Sequence, residues 1–282
     1  MGEKKYKALR ARKIVSQLGV TDPDIIKKVN NNSKFYNIHK NKRCFILGNG
    51  PSLKEVDLSR LKNEIVFSVN NFCKVDGYKE AKTNYHFWID AAFFNQRKDM
   101  TYDMTDIMKN YQLMSEENAE CFVPVYGYEF IKSNKLDEKL KINYLVNGGT
   151  YLDEPDNKID ISTVIPAFST VVQYCICVAI YMGFSEIYLL GCDSTSVVTT
   201  INCALNQENK SMHAYKNDNS EKEINELLKN WDMADVFFDQ YVLFGGYKYL
   251  NKYCNDNKIK LVNCTPKTLV NSIPMDSLDN VL

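Results

Sequence analysis

The chain has 282 residues, of which 45% are hydrophobic and 25% charged, and 35 basic residues balance 35 acidic ones. This composition is typical of a globular protein with one large domain, or one domain with an appendage. A net charge of zero provides no field that would attract a polyanion, so nucleic acid is not expected as a partner. No uncharged apolar run approaches the roughly 18 residues that a membrane span requires.

The N-terminus and the cysteines indicate the compartment. Residues 1–12 are charged and lack the apolar core of a signal peptide. Nine cysteines occur without CxxC spacing, and several lie inside apolar runs. Free, buried thiols in a reducing environment are therefore expected rather than disulfides or zinc ligands. The sequence predicts a cytoplasmic protein.

Residues 1–40 form the first predicted unit, a basic helical arm. Apolar residues recur near helical spacing up to Gly19, and Asp22-Pro23 is a suitable start for a second short helix. A solvated arm is the simpler interpretation. Because Lys and Arg are dense here, peripheral contact with the inner membrane, or assembly into a homo-oligomer, stays open as an alternative.

Residues 41–282 alternate apolar runs with helical segments, which predicts one α/β domain built on a doubly wound, mostly parallel sheet. The predicted strands are Cys44–Leu47, Ile65–Val69, Tyr85–Ile89, Cys121–Tyr126, Glu186–Asp193 and Ile259–Asn263. The nearly all-apolar helix Thr170–Met182 should lie buried against them, and 221–254 should be largely helical. Region 91–160 is expected to be mobile or to face an acceptor, with a turn at Asn147-Gly148. The polar stretch 194–222 is expected to be a flexible lid.

A glycine-rich corner, Gly48-Asn49-Gly50-Pro51-Ser52, follows the first predicted strand. Gly48 and Gly50 would let a ligand approach the main chain, and Ser52 with Glu55 fits a capping box at a helix start. A strand end, a glycine turn and a helix start together are typical of an anion site. A tight turn that binds nothing is the alternative, and neither a Walker loop nor a dinucleotide fingerprint is present.

Three further polar residues, Asn70, Asp90 and Asp193, follow predicted strands. Because ligands bind beyond the carboxyl ends of parallel strands, we expect these residues to share a cleft with the glycine corner. Each acid could orient a ribose, a metal or a catalytic histidine, and capping of a turn is the alternative. No strand-end Asp-x-Asp of a metal-dependent transferase occurs at these positions, so we predict no metal ion.

The chain has three histidines, His39, His86 and His213. His213 lies in the polar loop after the clearest strand, from which it could reach the cleft as a general base. Plain solvent exposure of this loop residue is the alternative. No nucleophile elbow, zinc ligand set or kinase loop is visible.

Several of these stretches together resemble a known group of enzymes. Ile46–Asp57, Phe67–Phe72 and Ala179–Asp193 look like conserved blocks of the bacterial lipooligosaccharide sialyltransferases, glycosyltransferase family 42, and Lys258–Pro266 is similar as well. The related MptE-like group, which includes 6-hydroxymethylpterin pyrophosphokinases and flagellin-glycosylation proteins, shares these blocks. Its pattern also includes a strand-end acid like Asp90, an Asn-x-Thr-Pro ending and a His-aromatic segment like the one at His213.

The resemblance implies a Rossmann-like, variant GT-A fold that binds a nucleotide sugar. It implies metal-independent transfer of a sugar, sialic acid or another nonulosonate among the candidates, from a CMP- or other nucleotide-activated donor. The acceptor would be a hydroxyl of a glycan or glycolipid in bacterial lipopolysaccharide or capsule synthesis. His213 would be the general base, and Asp193 is the second candidate catalytic residue. The candidate donor-binding residues are Gly48, Asn49, Gly50, Pro51, Ser52, Asn70, Asp90, Ser169, Thr170 and Gly191.

The chain departs from the sialyltransferase pattern in three places. The arginine expected just before the buried helix is absent near Phe168, and Ser194–Thr200 stands where the pattern has a pair of tyrosines. His213 also lies farther from the last strand than the base of the sialyltransferases would. Two other functions therefore stay open. One is an MptE-like pyrophosphokinase that uses ATP and Mg²⁺ with Asp90 and Asp193 as the acids. The other is a nucleotide-binding scaffold that has lost its transferase activity.

Overall fold

The structure is a computed structural model that describes residues 3–20, 22–96, 103–151, 158–209, 211–215, 225–226 and 228–282, with side chains from residue 9 onward. An eight-stranded sheet runs through these residues, and every neighbouring pair of its strands is parallel. The strands are β1 Arg43–Leu47, β2 Val66–Val69, β3 Tyr85–Phe87, β4 Glu120–Pro124, β5 Lys141–Thr150, β6 Val164–Ala167, β7 Glu186–Leu190 and β8 Lys260–Asn263. The predicted α/β fold class is thereby confirmed.

The order of the strands contains one reversal. Across the sheet the order is β6-β5-β4-β3-β2-β1-β7-β8, so the chain builds outward from β1 to β6 and then returns to the other side of β1. β1 and β7 pair in register from Arg43↔Glu186 to Leu47↔Leu190. In doubly wound sheets the crevice beyond the carboxyl ends of such a strand pair is where ligands bind.

Helices cover the sheet, and the central one is buried. The α-helices are α1 Glu3–Gln17, α2 Ile25–Asn30, α3 Met104–Glu116, α4 Tyr128–Ser133, α5 Val171–Tyr181, α6 Ser196–Ala204, α7 Met233–Asp256 and α8 Leu278–Val281. α5 packs on β1, β2 and α7. Gly246 lets α7 come close to α5, because a Cβ there would lie 2.5 Å from Gln173 Nε2. That amide nitrogen donates to Leu243 O at 2.8 Å.

The N-terminal arm is part of the packed structure. Ala11 and Val15 of α1 are buried, and α1 contacts β5 and β6. Arg10 Nη2 donates to Gly148 O at 3.1 Å. A Cβ on Gly148 would lie 2.2 Å from Ile14 Cδ1, so the glycine makes room for the helix. The solvated arm is therefore not observed, because its apolar face covers this side of the sheet; contact with a membrane stays a prediction.

Two regions differ from what the sequence predicted. Region 91–160 contains α3, α4 and the ten-residue strand β5, and residues 164–167 form β6. Asn147-Gly148 lies inside β5 rather than in a turn, at a shift of register toward β6, and Gly149 has φ +71°. The polar stretch expected to be a lid contains α6, while 210, 216–224 and 227 lie outside the described residues.

Buried free thiols were expected, and all nine cysteines are buried and unpaired. Among the described residues no helix is both long enough and apolar enough to cross a bilayer.

Candidate functional site

The candidate site lies in the crevice between the carboxyl ends of β1 and β7. The glycine corner after β1 contacts the loop after β7 directly. The Gly48 amide donates to Leu190 O at 2.8 Å, and the Gly50 amide donates to Gly191 O at 2.8 Å. The sequence prediction that the corner and the Gly191–Asp193 stretch share one edge is consistent with this geometry.

The glycines let these two loops touch each other. A Cβ on Gly48 would lie 2.4 Å from Gly191 O, and one on Gly50 would lie 2.0 Å from Asp193 Oδ2. Gly191 has φ +62°, and its Cβ would lie 2.6 Å from Gly48 O. The sequence suggested that the glycines let a ligand approach. Their Cα atoms instead face the neighbouring loop, so close packing within the protein is what excludes larger residues here.

Asp193 fills the anion-binding position of the corner. Its Oδ1 accepts from the Ser52 amide at 3.1 Å and its Oδ2 from Ser52 Oγ at 2.7 Å, and both residues are buried. Burial raises the pKa of Asp193, while the bonds from Ser52 oppose that rise. The predicted capping box of Ser52 and Glu55 is wrong, because the 3₁₀ turn Pro51–Glu55 has Gly50 at its N-cap and the Ser52 hydroxyl serves Asp193. A catalytic role for Asp193 stays a prediction.

The loop after β8 braces this arrangement. Thr265 Oγ1 accepts from the Cys192 amide at 3.0 Å, and Thr268 Oγ1 donates to Cys192 O at 2.8 Å. Asn263 Oδ1 in turn accepts from the Thr265 amide at 3.0 Å. The Asn-x-Thr-Pro ending thus fixes the β7 exit loop that carries Asp193.

Two asparagine side chains at the ends of β1 and β2 present buried acceptors. Asn49 Nδ2 donates to Val69 O at 2.9 Å, which ties the two strand ends together. Neither Asn49 Oδ1 nor Asn70 Oδ1 meets a donor among the described residues, although both atoms are buried. Asn70 also adopts φ +49°, a conformation in which Asn is more common than most residues. A bound molecule with N–H or O–H donors would satisfy both oxygens.

The segment 211–215 docks on the same edge. The Ala214 amide donates to Asn49 O at 2.8 Å. The His213 ring stacks on Tyr215, with centroids 4.9 Å apart and planes 20° apart. Tyr215 is buried and His213 is partly buried. Simple exposure of the loop histidine, the alternative in the sequence, is therefore not observed.

The head of α5 also reaches this edge. Thr170 is its N-cap residue, and Gln173 Oε1 accepts from the Thr170 amide at 3.4 Å. The buried Tyr247 of α7 joins this head to the β7 exit, because its hydroxyl hydrogen-bonds with both Thr170 and Ser194. Burial raises the pKa of Tyr247, and these two bonds oppose that rise. Ser169 is exposed beside them. Sequence reasoning missed Tyr247, although the Gly245-Gly246 pair before it was a signal of close helix approach.

Asp90 follows β3, which lies two positions from β1 in the sheet. Its Oδ1 accepts from the Ala92 amide at 2.9 Å, so it caps the 3₁₀ turn Ala91–Phe94, which was the alternative interpretation. β3 and β7, the strands that precede Asp90 and Asp193, lie three positions apart in the sheet, about 14 Å at the usual spacing. These two carboxylates do not fit one shared Mg²⁺ ion. Across the described part of the chain no three His, Cys, Asp or Glu side chains cluster as metal ligands would.

Comparison with known proteins gave one family match. Residues 23–198 match the family model described as 6-hydroxymethylpterin diphosphokinase MptE-like. The match covers more than half of the chain and includes the glycine corner, Asn70 and Asp193. No curated protein matched the chain.

Solved structures gave partial matches. The sialyltransferase CstII from Campylobacter jejuni in complex with cytidine-5'-monophosphate is 23% identical, with a TM-score of 0.45 over 84% of this chain and 85% of that chain. The same enzyme with a trisaccharide acceptor and CMP is 24% identical, with a TM-score of 0.45 over 83% and 86%. The MAf glycosyltransferase from Magnetospirillum magneticum AMB-1 is 11% identical, with a TM-score of 0.47 over 90% of this chain and 38% of that chain.

Proposed function

The chain belongs to the MptE-like family, and from that premise we propose that it is a glycosyltransferase with a nucleotide-activated donor, CMP-linked in the first instance. The acceptor is a hydroxyl group of a glycan or glycolipid. The observation that carries the proposal is the docking of the His213 segment on Asn49, at the strand-order reversal of the sheet. It is supported by the buried side-chain oxygens of Asn49 and Asn70, which meet no donor among the described residues.

The donor nucleotide fits the acceptors at the ends of β1 and β2. Ribose hydroxyls and the amino group of cytosine supply the donors that Asn49 Oδ1 and Asn70 Oδ1 lack. The donor phosphate belongs at the head of the eleven-residue helix α5, which follows β6 and so begins at the carboxyl edge. A helix N-terminus favours an anion there, and the hydroxyls of Ser169 and Thr170 add donors. In the glycine corner, the site suggested by the sequence, the amides of Gly48, Gly50 and Ser52 already donate to Leu190, Gly191 and Asp193.

His213 acts as the general base in this proposal. It takes the proton from the acceptor hydroxyl as that oxygen bonds to the anomeric carbon of the donor. The bond between the anomeric carbon and the phosphate oxygen breaks, and the nucleotide leaves with the electron pair. Charge on the leaving phosphate is stabilised by the α5 head. His213→Ala should lower transfer by about 10²–10⁴-fold.

A diphosphokinase is the second candidate, because the description of the matching family favours it. Such an enzyme moves diphosphate from ATP to a hydroxymethyl pterin with the help of Mg²⁺. The two acids that the sequence offers for this metal follow β3 and β7, and they already accept hydrogen bonds from Ala92 and Ser52. The geometry therefore favours the glycosyltransferase.

A thermal-shift panel with CMP, CDP, UDP, GDP and ATP, each with and without Mg²⁺, separates the candidates. Stabilisation by a cytidine nucleotide without metal is expected. Stabilisation by ATP only with Mg²⁺ would favour the diphosphokinase, and no response to any cytidine or uridine nucleotide would refute the glycosyltransferase. Cytidine binding without turnover of a CMP-sugar would identify an inactive scaffold.

Asn49→Ala tests the acceptor pair directly. Loss of one buried acceptor should weaken nucleotide binding by about 5- to 30-fold, since such a hydrogen bond contributes about 1–2 kcal/mol. Asn143→Ala on β5 is the matched control, because Asn143 is buried but bonds to Glu120. Equal affinities for the two variants by calorimetry would remove Asn49 from the binding site.

A further inference from the structure

A series of side chains, each hydrogen-bonded to the next, runs from the core to the His213 segment. We call it the amide chain, and it consists of Trp88, Asn110, Asn71 and Tyr215. Its first three members come from the 88–89 stretch after β3, from α3 and from the end of β2. Of these three, only Asn71 lies in a stretch that the sequence singled out, the Phe67–Phe72 block.

The orientation of each amide follows from its neighbour. The indole N–H of Trp88 can only donate, and it donates to Asn110 Oδ1 at 3.3 Å. Asn110 Nδ2 therefore faces Asn71 Oδ1, to which it donates at 2.7 Å. Because Asn71 Oδ1 faces Asn110, its Nδ2 faces Tyr215, and this nitrogen donates to the Tyr215 hydroxyl at 3.1 Å. The chain thus has one consistent direction from the core outward.

His86 holds the backbone beneath this chain. It is fully buried, and its Nε2 lies 3.2 Å from Asn70 O, which can only accept, so Nε2 carries the proton. Its Nδ1 then accepts from Ser68 Oγ at 2.7 Å. Asn110 Nδ2 also approaches Asn70 O, at 3.3 Å. The peptide between Asn70 and Asn71 is therefore clamped by two side chains from different elements.

Tyr215 receives the end of the chain and carries His213. Its hydroxyl is bonded to Asn71, and Lys74 Nζ lies 5.7 Å from the centre of its ring. The His213 ring stacks on it. The orientation of the His213 imidazole thus depends on the Tyr215 ring, which the bond to Asn71 holds in place. The hydrogen bond from the Ala214 amide to Asn49 O fixes the position of the segment relative to β1.

We propose that Tyr215 is the positioning residue for His213, held in place by the amide chain. The inference deepens the proposed function and rests on His213 as its base. A base that must meet an acceptor hydroxyl loses efficiency steeply when it is displaced. The hydroxyl of Tyr215 then contributes to turnover without touching either substrate.

Tyr215→Phe is the discriminating variant, because it keeps the stacked ring and removes only the bond to Asn71. Tyr188→Phe is the matched control. Tyr188 is also buried, and its hydroxyl bonds to Glu186 at the amino end of β7, away from the crevice. We expect Tyr215→Phe to lower kcat about 10- to 100-fold with the donor KM unchanged, and Tyr188→Phe to stay within about twofold of the wild type.

A spectroscopic readout makes the test independent of activity. With only three histidines in the chain, ¹³C-labelled imidazole signals can be assigned by substitution. Tyr215→Phe and Asn71→Ala should each shift or broaden the His213 signal, and Tyr188→Phe should leave it unchanged. Because both changes break the bond between Asn71 and Tyr215, the double variant should lose no more activity than Asn71→Ala alone.

The outcomes separate the two proposals. A His213 signal that is identical in Tyr215→Phe and Tyr188→Phe would overturn the positioning role, whatever the activity. A His213 signal that moves, in a protein that transfers no sugar, would support the positioning and refute the proposed function. Equal kcat values for the two tyrosine variants, with transfer still dependent on His213, would likewise overturn the inference.

Discussion

Acid should destabilise this protein through one buried histidine. His86 has no exposed surface, its Nε2 donates to Asn70 O and its Nδ1 accepts from Ser68. Protonation of Nδ1 would remove the acceptor for Ser68 and bury a positive charge. Burial accordingly lowers the pKa of His86 from 6.5 to about 3, against a smaller opposing effect of the bond to Asn70.

The size of the effect follows from linkage. Between about 6.5 and about 3 the unfolded chain binds a proton on His86 that the folded chain does not bind, so stability falls as the pH falls through this window. At about pH 5 the difference amounts to RT ln(1 + 10^1.5), or about 2 kcal/mol. Its limit at low pH is about 5 kcal/mol. The first figure is a large share of the stability of an ordinary domain.

Urea denaturation of the wild type and of His86→Gln at about pH 7.5 and about pH 5 measures this contribution. Carboxylates titrate alike in both proteins, so the change in their stability difference isolates His86. The advantage of the wild type over His86→Gln should shrink by about 2 kcal/mol at the lower pH. His39→Gln is the control. Burial also lowers the pKa of His39, but that residue is only partly buried, so the change should be smaller.

Two results would refute this reasoning. One is a pair of stability curves for the wild type and His86→Gln that stay parallel between the two pH values. The other is an imidazole signal of His86 that titrates near 6.5 in the folded protein. Either result would mean that His86 exchanges its proton with solvent, and the clamp on Asn70 O would then be looser than the 3.2 Å contact implies.

Two further substitutions test the packing. Gly50→Ala should cost about 3 kcal/mol in urea denaturation, because the new Cβ would lie 2.0 Å from Asp193 Oδ2; Gly19→Ala, with φ +73° and nothing within 4 Å, should cost only about 1 kcal/mol, and equal costs would contradict the clash. Val15→Ala in α1 should lower the free energy of unfolding by about 2 kcal/mol, whereas Leu18→Ala, at a residue that is 44% exposed, should leave it nearly unchanged. An unchanged free energy of unfolding for Val15→Ala would mean that α1 is a solvated arm.

The strands around the crevice were predictable because each is a short apolar run ended by a polar residue. β1, β2, β7 and β8 begin within one residue of their predicted starts. Such runs are what a parallel strand buried on both faces requires. The position of the crevice was also predictable in outline, because polar strand ends must meet at one edge of a parallel sheet.

β5 was not predictable from local pattern. Gly148 and Gly149 interrupt it, and the physical reason lies in another part of the chain. A Cβ at 148 would strike Ile14, and one at 149 would lie 2.1 Å from Arg10 Nη2. A glycine pair that accommodates a helix from the N-terminus looks, in sequence, the same as a turn. α6 was missed for a different reason. Its Ser and Thr residues are typical of loops, but within the helix Thr200 Oγ1 donates to the Ser196 carbonyl.

The residue types at the candidate site were predictable, but their partners were not. The sequence placed Ser52 and Asp193 at strand ends 141 positions apart, yet it gave no reason for them to bond to each other. Tyr247 and Asn110 reach the site from α7 and α3, where a tyrosine or an asparagine carries no motif. Only the three-dimensional order β3-β2-β1-β7 shows which helices pass over the crevice.

The bond between Ser52 and Asp193 changes the electrostatics of the site. A carboxylate with both oxygens on Ser52 already occupies the corner that resembled a phosphate cradle, and a second anion beside it would meet repulsion that is strong in a buried setting. In the proposed function, the donor phosphate would therefore bind away from the Asp193 carboxylate. The head of α5 is the proposed position for this phosphate, because its helix dipole attracts an anion. In this proposal the glycine corner shapes the crevice, and the head of α5 binds the donor phosphate.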